Sequence, residues 1–285
     1  LYSWSCRFIV AAKESLFTQD FAMPSQSEKA AAFHSLHHRP EPFVIGNPWD
    51  APSARLLTTL GYQALSTTSA GLALTLGRRD GVGAVSRDEA LANAREIVEA
   101  TDLPVAADLE NGYGDSPVAV AETIRLAADA GLVGGSIEDA TGNTADPIYD
   151  FALAVERIEA AAFAAAKLPF RFMLVARSEN YLHGRPDLLD TIRRLQAFEK
   201  AGAEVLYAPG ITAPEDIRVL CASVRRPVNV LMGLKGAPPL TVTQLGELGV
   251  RRISVGSGFH CAAVTGFLRA AHEVVEQGTC SFAQN

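Results

Sequence analysis

Asp108 and Glu110 are two acidic residues that stand two positions apart, directly after a short apolar run at residues 104–107. In an extended chain, side chains at positions i and i+2 point the same way, so both carboxylates lie on one side of the backbone. Like charges that close repel each other unless a cation lies between them. Oxygen ligands of this kind suit Mg²⁺ or Mn²⁺. The alternative is that both acids are solvated in a loop or cap the helix predicted to begin near Ser116.

The chain around these acids repeats a unit in which a helix is followed by a strand. Four helical patterns end in glycine at the position that commonly follows a helix, and an apolar run comes next each time. Runs entered by proline or by basic residues complete eight predicted strands, at residues 42–46, 64–67, 104–107, 134–138, 171–176, 204–207, 227–231 and 252–255. Helices are predicted between them, at about 51–60, 87–101, 117–130, 150–166, 187–201, 213–224, 240–248 and 259–276.

Eight alternations of strand and helix predict a parallel sheet, and eight is the number that closes a (β/α)8 (TIM) barrel. We expect one α/β domain over residues 27–285, with residues 1–26 as a peripheral or artefactual extension. A doubly wound open sheet is the alternative. That architecture usually has a glycine-rich first turn, and none follows Ile45.

The composition is that of a globular protein with a well-filled core. Of 285 residues, 48% are hydrophobic, and the mean hydropathy is +0.12. A net charge of −7 gives no basic surface for nucleic acid. The four cysteines have no CxxC pairing and no metal-ligand spacing, so we expect reduced thiols and a cytoplasmic protein. No apolar run is long enough to span a membrane.

In a (β/α)8 barrel, functional side chains gather just after the C-terminal ends of the strands. This rule selects polar segments after seven of the predicted strands. They are residues 47–50, 67–71, 108–110, 138–139, 177–179, Asn229 in strand seven, and 256–258. A metal held by acids beside an arginine such as Arg177 makes a receptor for an anionic substrate that also chelates the metal.

Several motifs follow one another in chain order. They are Asn47-Pro-Trp-Asp50 with Ser53-Ala-Arg55, Thr68-Ser69, Leu76-Gly-Arg-Arg-Asp80, Asp108-Leu-Glu-Asn-Gly-Tyr-Gly114, Ile137-Glu-Asp139 and Ala176-Arg177. With these motifs, the chain resembles the isocitrate lyase/phosphoenolpyruvate mutase superfamily over about residues 30–275. The resemblance implies a (β/α)8 enzyme that binds Mg²⁺, with Mn²⁺ as a possible replacement, and acts on a small 2-oxo or 2-hydroxy acid.

The resemblance also implies a metal site with Asp108 as the direct ligand. Asp80, Glu110 and Glu138 would orient the waters around the ion, and Glu110 stands where the family has a second Asp. The catalytic group that we predict comprises Arg177, Asp80 and Trp49. The substrate-binding group comprises Thr68, Ser69, Ala70, Arg177, Asn229 and Asp50.

Each of these residues has a purely structural alternative. Trp49 can pack at the barrel rim, and Asp50 can cap the first helix. Asn229 lies among apolar neighbours, where a satisfied core amide is the competing reading. Arg177 can neutralise Glu138 or another buried acid.

The segment after Ile137-Glu-Asp139 departs from the family. Isocitrate-type lyases carry Lys-Lys-Cys-Gly-His there, with the cysteine as acid/base, and phosphoenolpyruvate mutases carry a lysine and an asparagine. This chain has no Cys, Lys or His in residues 140–149. Decarboxylation of an oxaloacetate-like acid needs no base to break the bond, only a later proton donor, and so suits such a loop.

We therefore predict a Mg²⁺-dependent lyase that decarboxylates or cleaves a small 2-oxo or 2-hydroxy dicarboxylate through a metal-stabilised enolate. The alternatives are a phosphonate P–C bond mutase or hydrolase, supported only by Asn143, and a catalytically silent barrel that binds a 2-oxo acid. A phosphate-sugar barrel that uses residues 256–258 and Lys235 as an anion site leaves the acids unexplained. The resemblance further implies a homo-oligomer, a dimer or tetramer, with a swapped last helix.

Overall fold

A computed structural model describes residues 24–284, so residues 1–23 of the predicted extension lie outside the described part of the chain. The strands are β1 (Phe43–Val44), β2 (Leu65–Ser66), β3 (Val105–Asp108), β4 (Gly134–Glu138), β5 (Met173–Arg177), β6 (Val205–Tyr207), β7 (Val228–Leu231) and β8 (Arg252–Ser254). The α-helices are α1 (Gln26–His37), α2 (Ala51–Thr59), α3 (Ser69–Thr75), α4 (Arg87–Glu99), α5 (Pro117–Asp129), α6 (Phe151–Ala166), α7 (Leu188–Lys200), α8 (Pro214–Ser223), α9 (Val242–Glu247) and α10 (Gly258–Gln277).

The eight strands are parallel and form one sheet in the order β1-β8-β7-β6-β5-β4-β3-β2. The two outermost strands meet through a parallel bridge between Gly46 and Leu65. Gly46 donates its amide to the Ala64 carbonyl at 3.1 Å and accepts from the Ser66 amide at 2.8 Å. A Cβ at Gly46 would lie only 2.9 Å from the Tyr62 ring, so the close approach needs glycine. The sheet closes on itself, and the predicted (β/α)8 barrel is confirmed.

Helix α1 covers the N-terminal end of the barrel. Its Phe33 is fully buried and belongs to a cluster with inward-facing strand residues such as Met173 and Val205. Gln26 donates to the backbone carbonyl of Ala128, in the last turn of helix α5, at 2.8 Å and to that of Leu132, just after the helix, at 3.0 Å. Lys29 donates to the Thr101 carbonyl at 2.9 Å. The sequence pattern did not predict this helix, and its polar contacts and the buried Phe33 ring explain why it packs here.

Side-chain caps fix the helix starts at the opposite end of the barrel. Asp50 accepts from the Ser53 amide at 2.8 Å, and Thr68 accepts from the Gly71 amide at 3.3 Å. Ser86 forms a capping box with Glu89. These caps satisfy amides that the first helical turn leaves without partners. They hold the loops around the C-terminal strand ends in place.

Helix α10 leaves the barrel surface with much of its apolar side uncovered. Among its described residues, only His260 is buried. The exposed large apolar side chains are Val264, Phe267, Leu268, Val274 and Val275. Within residues 24–284, no helix is both long enough and apolar enough to cross a membrane.

Candidate active site

Arg177 and three carboxylates form a buried ion-pair cluster at the C-terminal ends of strands β3, β4 and β5. The strand register places Glu138 beside Arg177. The guanidinium lies 3.0 Å from Asp108, 3.2 Å from Glu138 and 2.8 Å from Glu179. The Arg177 side chain is only 12% exposed, and that of Glu179 only 3%. The prediction that the acids of neighbouring strands converge beside Arg177 describes this arrangement.

Arg177 is the counter-charge for the acids in this state of the site. Burial alone would lower its pKa, but Glu179, Glu138 and Asp108 together raise the pKa of Arg177 well above its usual value. The Tyr207 ring lies 5.1 Å from the guanidinium carbon and covers its inner side. Arg177 is therefore charged and firmly held, and any ligand anion that reaches it competes with three carboxylates.

Asp108 is surrounded by hydrogen-bond donors. The Ser69 hydroxyl donates to one of its oxygens at 2.9 Å, and the Ser69 amide approaches the same oxygen at 3.4 Å. Thr67 accepts from the Asp108 amide at 3.0 Å and fixes the strand end. Burial would raise the pKa of Asp108, but Arg177 and Ser69 outweigh that effect and hold it below its usual value. Asp108 is therefore ionised and oriented.

Glu110 and Asp80 approach the cluster without ion pairs of their own. Burial, then the charges of Asp108 and Asp80, raise the pKa of Glu110 to about 7. Partial burial of the carboxyl group and the charge of Asp108 also raise the pKa of Asp80. The residue as a whole is nevertheless exposed in its loop. Burial is the main reason that the pKa of Glu138 is raised well above its usual range. Negative charge is in excess here.

The donor set fits a hard divalent cation. No group of three or more His, Cys, Asp or Glu side chains in the described residues has the spacing of a complete metal cage. Mg²⁺ does not require such a cage, because in enzyme sites it usually keeps several waters and takes one or two carboxylates. Asp108 supplies an ionised oxygen. Glu138, Glu110 and Asp80 supply the surplus charge that a cation would relieve.

The loop between Asp108 and helix α5 is held from below by Arg157, which the sequence analysis missed. This arginine is 1% exposed and donates to the backbone carbonyls of Asn111, Gly114 and Asp115. The loop contains Glu110 at φ +47° and Tyr113 at φ +58°. Such angles are costly for residues other than glycine. The hydrogen bonds from Arg157 offset that strain. In the sequence, Arg157 could have been noticed as a single positively charged residue on the apolar face of a predicted helix.

Tyr149 links the same loop to the segment that departs from the family. Its hydroxyl donates to Asp115 at 2.6 Å, and its ring lies 4.1 Å from the Arg157 guanidinium carbon. Earlier in this segment, the Asn143 side-chain oxygen accepts a hydrogen bond from the Ala145 amide at 3.0 Å. Asn143 thus stabilises a local turn, while Tyr149 anchors the end of the segment.

A cleft of about 540 Å³ opens above the acids. One wall is the loop at residues 81–88, and the other includes Thr141 and Gly142. Glu110, Tyr113 and Glu138 form part of its lining. The cleft gives a small molecule access to the carboxylate cluster.

Trp49 and Asp50 lie at the start of helix α2, and within the described residues neither takes part in the ion pairs. The Trp49 ring packs edge-on against His260, with ring centres 5.2 Å apart. The Asp50 carboxylate caps helix α2 through Ser53. Their predicted roles in catalysis and substrate binding stay predictions.

The other residues predicted to bind substrate lie on two sides of the barrel mouth. Thr68 caps helix α3, and Ala70 is the second residue of that helix. Asn229 is 2% exposed inside the barrel and donates to the Ser254 hydroxyl at 3.0 Å. Its side-chain oxygen has no partner within the described chain. Of the predicted substrate-binding residues, the structure brings Ser69 and Arg177 into hydrogen-bond contact with Asp108.

The chain is similar to known proteins over most of its length. The family model described as phosphoenolpyruvate phosphomutase matches residues 33–275. A crystal structure of a candidate lyase/mutase from Burkholderia cenocepacia J2315 is 55% identical, with a TM-score of 0.88, and the match covers 91% of this chain and 92% of that one. The 2-methylisocitrate lyase of Escherichia coli K12 is 31% identical over 219 residues, which is 74% of this chain and 72% of the relative. The oxaloacetate decarboxylase of Paraburkholderia xenovorans LB400 is 29% identical over 244 residues, 82% of this chain and 77% of the relative.

Proposed function

The chain belongs to the phosphoenolpyruvate phosphomutase family, part of the isocitrate lyase/phosphoenolpyruvate mutase superfamily of enzymes, and from this membership we propose that it is a Mg²⁺-dependent carbon–carbon lyase. Its proposed substrate is a small 2-oxo or 2-hydroxy dicarboxylate. The observation that carries the proposal is the cluster in which Arg177 contacts Asp108, Glu138 and Glu179, since Glu138 also lines an open cleft.

Asp108 would hold Mg²⁺, and Glu138, Glu110 and Asp80 would hold its waters. When bound, the ion supplies positive charge next to the oxygen on which negative charge develops as the carbon–carbon bond breaks. Ser69 keeps the Asp108 carboxylate oriented. With a cation bound, Asp108 and Glu138 would hold Arg177 less strongly, and its guanidinium would be available to a substrate carboxylate.

The segment at residues 140–149 favours decarboxylation within this class. It offers no Cys, Lys or His as a general base. Tyr149, the one phenol in the segment, donates a hydrogen bond to Asp115, and burial raises the pKa of Tyr149 to about 12. Decarboxylation places the weakest demand on a base, because carbon dioxide leaves without proton removal. The similarity to an oxaloacetate decarboxylase supports this choice.

A turnover assay tests the proposal. The purified chain is incubated with oxaloacetate, 2-methylisocitrate or phosphonopyruvate, with Mg²⁺ and with EDTA, and products are identified by mass spectrometry. We expect Mg²⁺-dependent turnover of a carboxylic acid above the rate without protein. Turnover of phosphonopyruvate alone would identify a P–C bond enzyme instead. A lack of turnover combined with Mg²⁺-dependent thermal stabilisation by 2-oxo acids would identify a binding protein.

The exposed apolar side of helix α10 supports a homo-oligomer as part of the proposal. Phe267 is 70% exposed and Val275 is 85% exposed on a helix that barely contacts its own barrel. Uncovered apolar surface of this kind marks an interface. A second copy of the chain is the proposed occupant.

A further inference from the structure

Arg87 is the first residue of helix α4 and lines the cleft above the acids. Among the described residues that line this cleft, it is the only lysine or arginine. The same cavity is lined by Glu110 and Glu138. A molecule bound at the carboxylate cluster therefore shares one continuous space with the Arg87 side chain.

The Arg87 guanidinium lies near Glu122, whose pKa is lowered mainly by Arg125 and to a lesser extent by Arg87, but it is not paired with an acid within residues 24–284. It makes no ion pair there, and its Nε is buried without a hydrogen-bond partner. By contrast, the nearby Arg78 pairs with Glu89 at 2.8 Å. A buried donor without an acceptor is unfavourable, and an acceptor on a ligand would remove that penalty.

Apart from Arg87, the charged residues that line the cleft are acidic, so Arg87 is the side chain there that could bind a second anionic group. Glu110, Glu138 and Asp88 line the cleft and repel anions. Thr141 and Gly142, on the facing wall, are uncharged. Arg177 is not among the residues that line the cleft, and three carboxylates hold it. Among the described residues that line the cleft, a second anionic group therefore meets one cation, at the wall formed by residues 81–88.

We propose that Arg87 is a specificity-determining residue that binds the distal carboxylate of a dianionic substrate and so selects it over monoanionic 2-oxo acids. This inference rests on the proposed function, because it assumes that the proximal end of the substrate lies at Asp108. A guanidinium can bind a carboxylate with two parallel hydrogen bonds, which Lys or Gln cannot reproduce.

Binding of two probes to Arg87→Gln tests the inference. Oxalate fills the proximal site but has no distal carboxylate, whereas 3,3-difluorooxaloacetate has one. With Mg²⁺ present, calorimetry should show that Arg87→Gln weakens 3,3-difluorooxaloacetate binding roughly 10- to 100-fold and leaves oxalate binding unchanged. If turnover is found, KM for the dicarboxylate should rise more than kcat falls.

Arg79→Gln is the matched control, because Arg79 is an exposed arginine of the same loop region that does not line the cleft. It should change neither affinity. Equal weakening of both probes by Arg87→Gln, or no weakening of the dicarboxylate, would overturn the role of Arg87 while leaving the proposed function intact. Failure of the unaltered chain to bind oxalate with Mg²⁺ would overturn the proposed function itself, and this inference with it.

Discussion

At the scale of single residues, Asp108 is the acid whose charge is best secured. Arg177 and Ser69 hold it ionised, whereas the pKa of Glu110 is raised to about 7, mainly by burial. A cation that enters the cluster would meet one carboxylate that is firmly ionised and others whose pKa is raised. Asp108 should therefore bind the cation most readily.

Asp108→Asn tests the ligand assignment with little change of shape. The amide keeps the shape and one acceptor oxygen but removes the charge, so Mg²⁺ affinity should fall by at least roughly 100-fold, more than the usual effect of a group that only supports a ligand. Calorimetric Mg²⁺ titration and circular dichroism measure affinity and fold. Asp129→Asn, on an exposed part of helix α5, is the control. Unchanged metal affinity in Asp108→Asn would refute the assignment.

Arg177→Met removes the counter-charge from Asp108, Glu138 and Glu179. Buried carboxylates left without a partner should lower the free energy of unfolding by about 3–5 kcal/mol, as measured by urea denaturation. Mg²⁺ should restore part of that loss, because it binds the folded state and relieves the same repulsion. Stability equal to that of the unaltered chain would show that Arg177 is not the main counter-charge.

Asp108, Glu138 and Arg177 could be predicted because each stands at a strand end, and strand ends of a parallel barrel meet at one edge. Arg157 and Arg87 could not be predicted in the same way. The role of Arg157 depends on which carbonyls a strained loop presents, and that of Arg87 on the shape of a cleft between two loops. Neither is encoded in local spacing.

At the scale of elements, helix α1 brings His37 into an apolar setting. The ring packs edge-on against Phe33 and Phe43, with centres 4.7 and 4.9 Å apart. Its Nδ1 lies 2.8 Å from the Phe33 carbonyl oxygen. Burial, with the nearby positive charge of Arg252, lowers the pKa of His37 to about 3. The folded protein therefore holds this histidine neutral.

This shift predicts a loss of stability in mild acid. Below pH 6.5 the unfolded chain binds a proton at His37 that the folded chain does not, so the free energy of unfolding falls as the pH falls. One such group accounts for about 2 kcal/mol between pH 6.5 and pH 5. Urea denaturation at pH 7 and pH 5 should show a smaller loss for His37→Phe than for the unaltered chain. His38→Gln, at the exposed neighbouring position, should behave like the unaltered chain, and equal losses in all three would exclude this explanation.

Most helices and strands could be predicted because glycine marked helix ends and apolar runs marked strands. Helices α1 and α3 were missed for different reasons. Helix α1 combines a few core residues with two histidines, so its pattern is weakly apolar on any side. Helix α3 has only seven residues, and Thr68 caps it at the point where the sequence indicated a loop.

At the scale of the whole molecule, the eightfold repeat was enough to predict the closed barrel. Eight parallel strands with outer helices either close into a barrel or leave two edge strands with unpaired backbone groups. Association between copies of the chain is a different matter. The apolar side of helix α10 is visible in the sequence, but the sequence does not indicate which surface would cover it.

Phe267→Glu tests that association. A charge in the centre of the exposed side of helix α10 should shift the chain toward monomers by at least about 10-fold in dissociation constant, because burying an unpaired carboxylate is unfavourable. Light scattering after size-exclusion chromatography measures the mass. Glu276→Gln, an exposed change on the same helix, is the control. An unaltered mass for Phe267→Glu would contradict the proposed interface.

Helix α1 has one more consequence, for the traffic of small molecules. Helix α1 and the inward-facing side chains of the strands fill one end of the barrel, so a small molecule that enters at the opposite end must also leave there. Of two reaction products, the fragment nearer the exit should escape first, and the fragment chelated at the bottom should escape last. Inhibition studies should then find the chelating product competitive with substrate and the outer product non-competitive.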